Sequence, residues 1–544
     1  MNAVDWSIML IYMVGLIWMS FKLGQGQKSE KDYYLGGNRI HWLPVSISTM
    51  ATQLSTNSLL GAPAFVAFSL GGGLIWLQYE LAVPLAMIFI MIFLVPFFKK
   101  SGVISIYEYL EKRFGVGTRT LLSLLFQFIV AFGTGVTVYG ISLVLQAVLD
   151  VPFWAAVVLL GVVTVVYDAL GGIKSVIASD VIQMLILVFG VAVTAYYATD
   201  LVGGVGAVLD HFDADRMRAL DFSGNGLGDG AVFSFLPMLV GGFFLYVAYY
   251  GCNQTQVQRQ LATESIDDTN MALFLNGLLR FPIVVGYCFM GVAVGAYAAL
   301  HTGFVDRLPT REVVENGVVS HLPNFNMAVP AFVLENLPHG VIGIIIVALF
   351  AAAMSSLDST INSLSAATAR DVFDRFVYRG RERSERHYLF LSKGLTVFWG
   401  AVCIAFSFFV GNISDSIIVT VNQIGSLANG PILATFLLAI LTRRATDVGT
   451  VIGIFAGFLV NLYLWVAAPG VSWLWWNVIG CGVTFGVGYL ASLAFAPVPL
   501  ERLKNLVWHR NIGRDYFRYK RDWKVYYGIL TLYFLVMLGL LALI

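Results

Sequence analysis

Charge is what this 544-residue chain has least of: 12% of its residues are Asp, Glu, Lys or Arg, about half the share of an ordinary soluble domain. Beside 58% hydrophobic residues, that scarcity excludes soluble globular, disordered and nucleic-acid-binding classes. Cysteine is sparse too. Cys252, Cys288, Cys403 and Cys481 show no paired spacing and no histidine cluster, which points to packing rather than a disulfide framework or metal site. No basic leader precedes the first apolar run, so the first helix is expected to be retained. Nor does the sequence contain a phosphate-binding G-x-x-x-x-G-K-[S/T] loop or an H-E-x-x-H zinc motif. Primary pumping by this chain alone and zinc proteolysis are thereby disfavoured.

What the chain does have is long apolar runs. Fourteen can be marked, at 4–21, 42–70, 73–98, 118–149, 152–170, 174–199, 232–252, 271–300, 339–368, 388–411, 414–442, 448–468, 472–496 and 525–544. A bilayer needs about 20 residues per helix, so an all-α polytopic membrane protein with about 14 transmembrane helices is expected. Several runs are overlong, which calls for tilts or breaks. Basic residues segregate strongly. Lys22 to Arg39, Lys99 to Arg119, Arg370 to Arg386 and Arg502 to Lys524 all fall in odd-numbered connections, whereas the even-numbered ones hold only Arg216, Arg218, Arg307 and Arg311. The positive-inside rule then puts the odd connections in the cytoplasm and both termini outside, in a plasma membrane of bacterial inner-membrane type. The stretch around Arg514 is an orientation signal lying on anionic headgroups, with partner binding as the other reading.

Polar side chains inside the runs are the functional candidates, because charge is costly at membrane depth. The second run carries Ser46, Ser48, Thr49, Thr52, Gln53, Ser55, Thr56, Asn57 and Ser58, then Gly61 and Pro63. Such a stretch suits a discontinuous helix that lines a cavity; ordinary interhelical hydrogen bonding is the plainer account. In the ninth run Ala352, Ser355, Ser356 and Ser359 fall at i, i+3, i+4 and i+7, one helical face. Hydroxyls with an exposed carbonyl suit a hard cation; the same face would also serve close packing. Asp358 favours the cation, since packing needs no buried carboxylate. Asp180 opens the sixth run as either a helix cap or a ligand. Glu80, Arg280 and Gln423 are the other intramembrane polar groups. Glu80 and Arg280 could neutralise each other or line a solute cavity.

These residues, with several ordered motifs, resemble the sodium:solute symporter family. The motifs are Asp32-Tyr33-Tyr34-Leu35-Gly36-Gly37, the segment 104–114, Gly171-Gly172-Ile173-Lys174 running to Asp180-Val181-Ile182-Gln183, Asn253-Gln254 with Gln258-Arg259, Ser355-Ser356, and Gly430-Pro431-Ile432-Leu433. The 253–259 stretch is most similar to the monocarboxylate, iodide and multivitamin branch. The resemblance implies a leucine-transporter-like fold of two inverted five-helix repeats with peripheral helices. Mapped here, 1–41 holds the first peripheral span and a cytoplasmic loop, 42–200 the first repeat, 201–231 an extracellular loop, 232–442 the second repeat, and 443–544 the remaining peripheral spans. It also implies a main sodium site at the carbonyls of Ala51, Leu54 and Ala352 and the hydroxyls of Ser355 and Ser356. A second cation site would use Asp180, Ser355, Asp358 and Ser359, with Asp358 where the family has serine; two sodium ions are expected. Solute contacts would come from Gln53, Ser58, Glu80, Tyr249, Arg280 and Gln423. Arg280 replaces a lysine of the sugar carriers, and Ser58 and Val83 replace polar groups.

The expected activity is sodium-coupled import, by alternating access, of a small organic solute such as a sugar, sialic acid or monocarboxylate. No arginine in the fourth run matches the carboxylate clamp of sialic-acid carriers. Partners are the solute, sodium ions and the bilayer, with no nucleic acid, soluble partner or enzymatic activity. A solute sensor of the same fold is the alternative, disfavoured because the chain ends at Ile544 within a hydrophobic run.

Overall fold

The computed structural model describes every residue except 55, 316–317, 380, 382 and 410–416, and leaves undescribed the side chains of 57, 311–315, 318–320, 417–421 and 514. Ser55, the side chains of Asn57 and Arg514, and the connection between the tenth and eleventh expected spans therefore lie outside the described residues. Among those described, eleven helices are long and apolar enough to cross a membrane, and two apolar helices, Ser58–Ala67 and Pro237–Cys252, are shorter. The expected fourteen full-length spans are not reached for two reasons. The second and seventh segments carry breaks, and the fifth and sixth run together in one 50-residue element.

Each departure has a local cause. Helix α1 (Ala3–Gly24) is followed by α2 (Trp42–Gln53), which stops at Leu54 with φ −78° and ψ 65°. The chain makes a wide turn over Asn57–Gly61 and resumes as α3 (Ala62–Ala67), where Pro63 occupies the first turn. Proline is tolerated there because its missing N–H would have no intrahelical partner anyway. The second break separates α7 (Gly242–Cys252) from α8 (Gln254–Leu261). Asn253 turns extended between them, and its side chain accepts from Thr255 N at 2.8 Å. Lying between these in the sequence are α4 (Ala82–Phe93), α5 (Val116–Leu149) and the long α6 (Phe153–Val202).

Inside α6, Gly172 has φ 56° and ψ −154°, a conformation that breaks the helix in two across a kink and that only glycine adopts readily. After α8 come α9 (Ile266–Leu300), α10 (Val341–Ala367), α11 (Glu385–Phe409), α12 (Ile417–Leu441), α13 (Asp447–Ala467), α14 (Trp473–Ser492) and α15 (Trp523–Leu541). A two-stranded antiparallel hairpin, Thr310–Glu315 with Val318–Pro323, decorates the α9–α10 connection. It is an addition to the all-helical expectation.

The centre is α10, buried almost throughout and packed against α6, α1, α5 and α11. Its N-terminus is capped by a residue from another helix. Asp5 accepts from Gly340 N at 2.7 Å and Gly343 N at 3.0 Å, and bonds His339 Nδ1 at 2.9 Å. Orphan N–H groups at a helix start are thus answered by a carboxylate that α1 delivers.

The Gly172 turn yields a test of the fold. A Cβ there would sit 2.6 Å from the Tyr33 carbonyl oxygen and 2.8 Å from its ring. A non-glycine residue in this backbone region costs about 1–3 kcal/mol before any clash. Gly172→Ala should therefore lower the melting temperature of the purified protein markedly, while Gly15→Ala, with open space at its Cβ, should not.

Candidate functional site

The two helix breaks face one cavity of about 250 Å³, walled by α2, α5, α7, α8, α9, α10 and α12. Gln53, Ser58, Glu80, Tyr249 and Arg280, all expected at a solute site, line it. Gln423 is not among the lining residues; Asn422, one position away and so turned about 100° around α12, is, together with Asn429. Trp76, Tyr79, Tyr246 and Tyr287 add aromatic surface. Tyr249 is held from the side, its hydroxyl accepting from Gln256 Nε2 at 2.8 Å.

Glu80 and Arg280 pair directly. Arg280 Nε donates to Glu80 Oε2 at 2.8 Å and Nη2 to Oε1 at 3.1 Å, while Tyr246 OH donates to Oε1 at 2.9 Å. A two-pronged guanidinium–carboxylate contact of this kind fixes both groups geometrically. Arg280 Nη1 keeps no partner, and neither does Gln53 Oε1. Glu80 and Arg280 are the cavity's only ionisable acid and base among the described lining residues, so its walls carry no net charge.

At the edge of the cavity, α2 and α10 meet through hydroxyls and carbonyls. Ser355 Oγ lies 3.4 Å from the Ala51 carbonyl oxygen and 3.2 Å from that of Ala352. Ser356 Oγ lies 3.3 Å from Thr52 O and 3.4 Å from Ala352 O. Leu54 stands where α2 ends: its N–H still bonds the Met50 carbonyl at 2.9 Å, and its backbone then leaves the helix. The structure thus gathers Ala51, Ala352, Ser355 and Ser356 around one point, with Leu54 at the adjoining helix end. Not every hydroxyl of the second run serves it. Ser46 donates across to Ala272 O at 2.9 Å, and Thr49 back to Val45 O at 2.7 Å, which is the ordinary packing use.

One turn further along α10 the environment changes. Asp180 accepts from Ser48 Oγ at 2.5 Å, and the Arg259 guanidinium lies 3.6 Å from its Oδ2. Arg259 also donates to Ser48 Oγ at 2.7 Å, to the Thr255 carbonyl at 2.6 Å and to Ser359 Oγ. Asp358 is surrounded by hydroxyls: Tyr167 OH at 2.5 Å, Ser359 Oγ at 2.9 Å and Ser179 Oγ at 3.5 Å. Arg259 thus reaches Asp180 directly and Asp358 only through Ser359. Arg259, 1% exposed, brings a positive charge of its own. Read as sequence, Arg259 belonged only to a motif in a cytoplasmic connection; its isolation among glutamines was the one signal that it turns inward.

A bundle of apolar helices, two of them interrupted beside one cavity that carries a few polar side chains, is the architecture of a secondary transporter. Residues 33–457 match the sodium:solute symporter family, and the chain belongs to it. It is a sodium-coupled solute symporter embedded as a multi-pass membrane protein. It is 30% identical over 449 residues to the human sodium-coupled monocarboxylate transporter 1, spanning 82% of this chain and 70% of that one. With the sodium/sialic acid symporter NanT of Aliivibrio fischeri it shares 28% identity over 499 residues, 91% of this chain and 94% of the relative. A solved sodium-coupled sialic acid symporter, substrate-bound and outward-open, superposes with a TM-score of 0.81 at 24% identity over 92% of this chain and 99% of that one. The fold is therefore the leucine-transporter-like one.

The Glu80–Arg280 pair can be dissected. Removing one partner of a buried ion pair strands the other charge at a cost of about 3–5 kcal/mol, whereas removing both is far milder. Glu80→Gln and Arg280→Met should each lower the melting temperature more than the double variant does. A double variant as unstable as the two single effects added would show that the groups do not neutralise each other.

Proposed function

We propose that the chain imports a small organic carboxylate with one sodium ion. The observation that carries this is Arg280, whose Nη1 is unpartnered in a cavity whose own charges cancel. With Glu80 neutralised, the cavity has no preference of its own for an anion or a cation. Sodium held by the neutral oxygens of Ala51, Leu54, Ala352, Ser355 and Ser356 changes that. Ser356 and Thr52 also line the cavity, so the ion adds a positive charge at its wall. A carboxylate is then attracted by the ion and hydrogen-bonded by Arg280, which couples the two binding events electrostatically. The named solutes of the relatives, monocarboxylates and sialic acid, are in keeping with this choice. In this reading Leu54 and Asn253 are matching breaks of two inverted repeats, 42–200 and 232–442, and the basic connections face the cytoplasm with both termini outside.

The second cation position, at Asp180, Ser355, Asp358 and Ser359, is taken by Arg259 rather than by sodium. One sodium with one monocarboxylate moves no net charge. Uptake into proteoliposomes should then follow the sodium gradient, about tenfold accumulation for a tenfold gradient, and ignore an imposed potential. A second sodium would add about 2.3 kcal/mol per 100 mV, close to fifty-fold, and would overturn the single-ion stoichiometry. The solute arms are pyruvate, lactate, N-acetylneuraminate and glucose. Sodium-driven uptake of glucose with none of the acids would refute the carboxylate reading.

The main ion site has its own test in the same assay. Ser355→Ala or Ser356→Ala removes one hard oxygen from a site of neutral dipoles. The sodium concentration for half-maximal uptake should rise severalfold in both. Ser359→Ala, whose hydroxyl serves Arg259 and Asp358, should leave it unchanged. Equal sodium dependence in all three variants would reject the assignment.

A further inference from the structure

Two motifs of the sequence, 32–37 and 171–174, take no part in the transport cavity, yet the fold brings them together. Gly172 packs against the Tyr33 backbone as described above, and Gln27 Nε2 donates to Gly171 O at 2.6 Å. The connector before α2 then turns through three successive left-handed residues, Gly36 at φ 58°, Gly37 at 72° and Asn38 at 55°. The positive φ of Gly36 favours glycine there, and a Cβ would also press on the Ile40 side chain at 2.7 Å. Asn38 Nδ2 donates to Leu261 O at 2.5 Å and Ile40 N to Ala262 O at 3.1 Å, tying the turn to the end of α8.

The result is a hollow of about 270 Å³ lined by Lys31, Asp32, Gly36, Gly37, Arg39 and Lys174. Its one carboxylate is already used: Asp32 Oδ2 accepts from Lys28 N at 3.1 Å and Ser29 N at 3.2 Å. Burial pushes the Asp32 carboxyl up, but these hydrogen bonds and the charge of Lys174 prevail and hold it below its usual range. The side chains of Lys31, Arg39 and Lys174 make no hydrogen bond and no ion pair among the described residues. Three cations converge on a concavity beside a single acid, at the membrane face where the chain's basic connections collect. Bringing like charges together is unfavourable unless an anion joins them.

We propose that this hollow binds a phosphate-bearing anion. The arginine supplies a planar fork and the lysines compact charges, the combination that suits phosphate oxygens. Headgroups of anionic lipids present that chemistry at this face, and free phosphate presents it in solution. Either would brace the connector that leads into α2 against the second half of α6. It would thereby clamp the Gly172 turn, about two helical turns before Asp180.

The full chain in nanodiscs separates the two sources. One arm uses phosphatidylcholine discs titrated with inorganic phosphate. The other uses discs containing phosphatidylglycerol without added phosphate. Stability is read as melting temperature in the wild type, in Lys28→Gln as a nearby basic control outside the hollow, and in Lys31→Gln/Arg39→Gln/Lys174→Gln. Wild type and control should be stabilised in at least one arm: in the first for free phosphate, in the second for a lipid headgroup. The triple variant should lose that gain, with a half-saturating phosphate concentration at least fivefold higher or no response to the lipid. Arg39→Gln alone, expected to show a smaller loss in the same direction, serves if the triple variant does not fold. Wild type unresponsive in both arms, or variants responding like wild type, would overturn the site.

Discussion

Backbone groups freed at membrane depth must find partners, and the rest of this structure is arranged around two places where the chain frees them. At Leu54 and at Asn253 a helix stops inside the apolar bundle. Water is not available to hydrogen-bond what is left open, so the groups must be met by neighbouring helices or by a bound species. Around Leu54 the answer is α10, whose small residues let it approach closely enough for Ser355 and Ser356 to reach the carbonyls of Ala51 and Thr52. Around Asn253 it is the residue's own side chain, with Thr255. The cavity exists because these breaks face each other.

The same economy governs buried charge. Arg280 is matched by Glu80 within the cavity wall. Arg259 is matched by Asp180, with hydroxyls completing its donors. A third buried arginine, Arg119, bonds Asp371 at 2.7 Å and Glu111, joining the start of α5 to the segment after α10. Each pair joins elements distant in sequence and satisfies charges that would be prohibitive alone.

Most of the helices were legible from composition and periodicity, since long apolar runs have one stable form in a bilayer. The break after Gln53 was legible too, because hydroxyls, Gly61 and Pro63 crowd one stretch. The face of Ala352, Ser355, Ser356 and Ser359 could be drawn from spacing alone, as α-helical geometry allows no other arrangement of those positions. Arg259 was not legible as an inward-facing charge. Its sequence neighbours are polar, and polar neighbours read as a solvated loop. Nor could spacing distinguish Asn422 from Gln423 at the cavity, because one residue is a 100° turn and the rotation of α12 is set by what it packs on.

What the sequence determined by itself was therefore class, segment and face: a membrane bundle, where its helices run and break, and which side of α10 carries hydroxyls. Those follow from local geometry and the cost of polar groups in lipid, and need no partner. Only the tertiary structure decided pairing. That Arg280 meets Glu80 across 200 positions, and that Arg259 reaches Asp180 and Ser359, depends on how distant helices pack. Electrostatic energy depends on distances of a few ångströms, and no spacing along a chain encodes them.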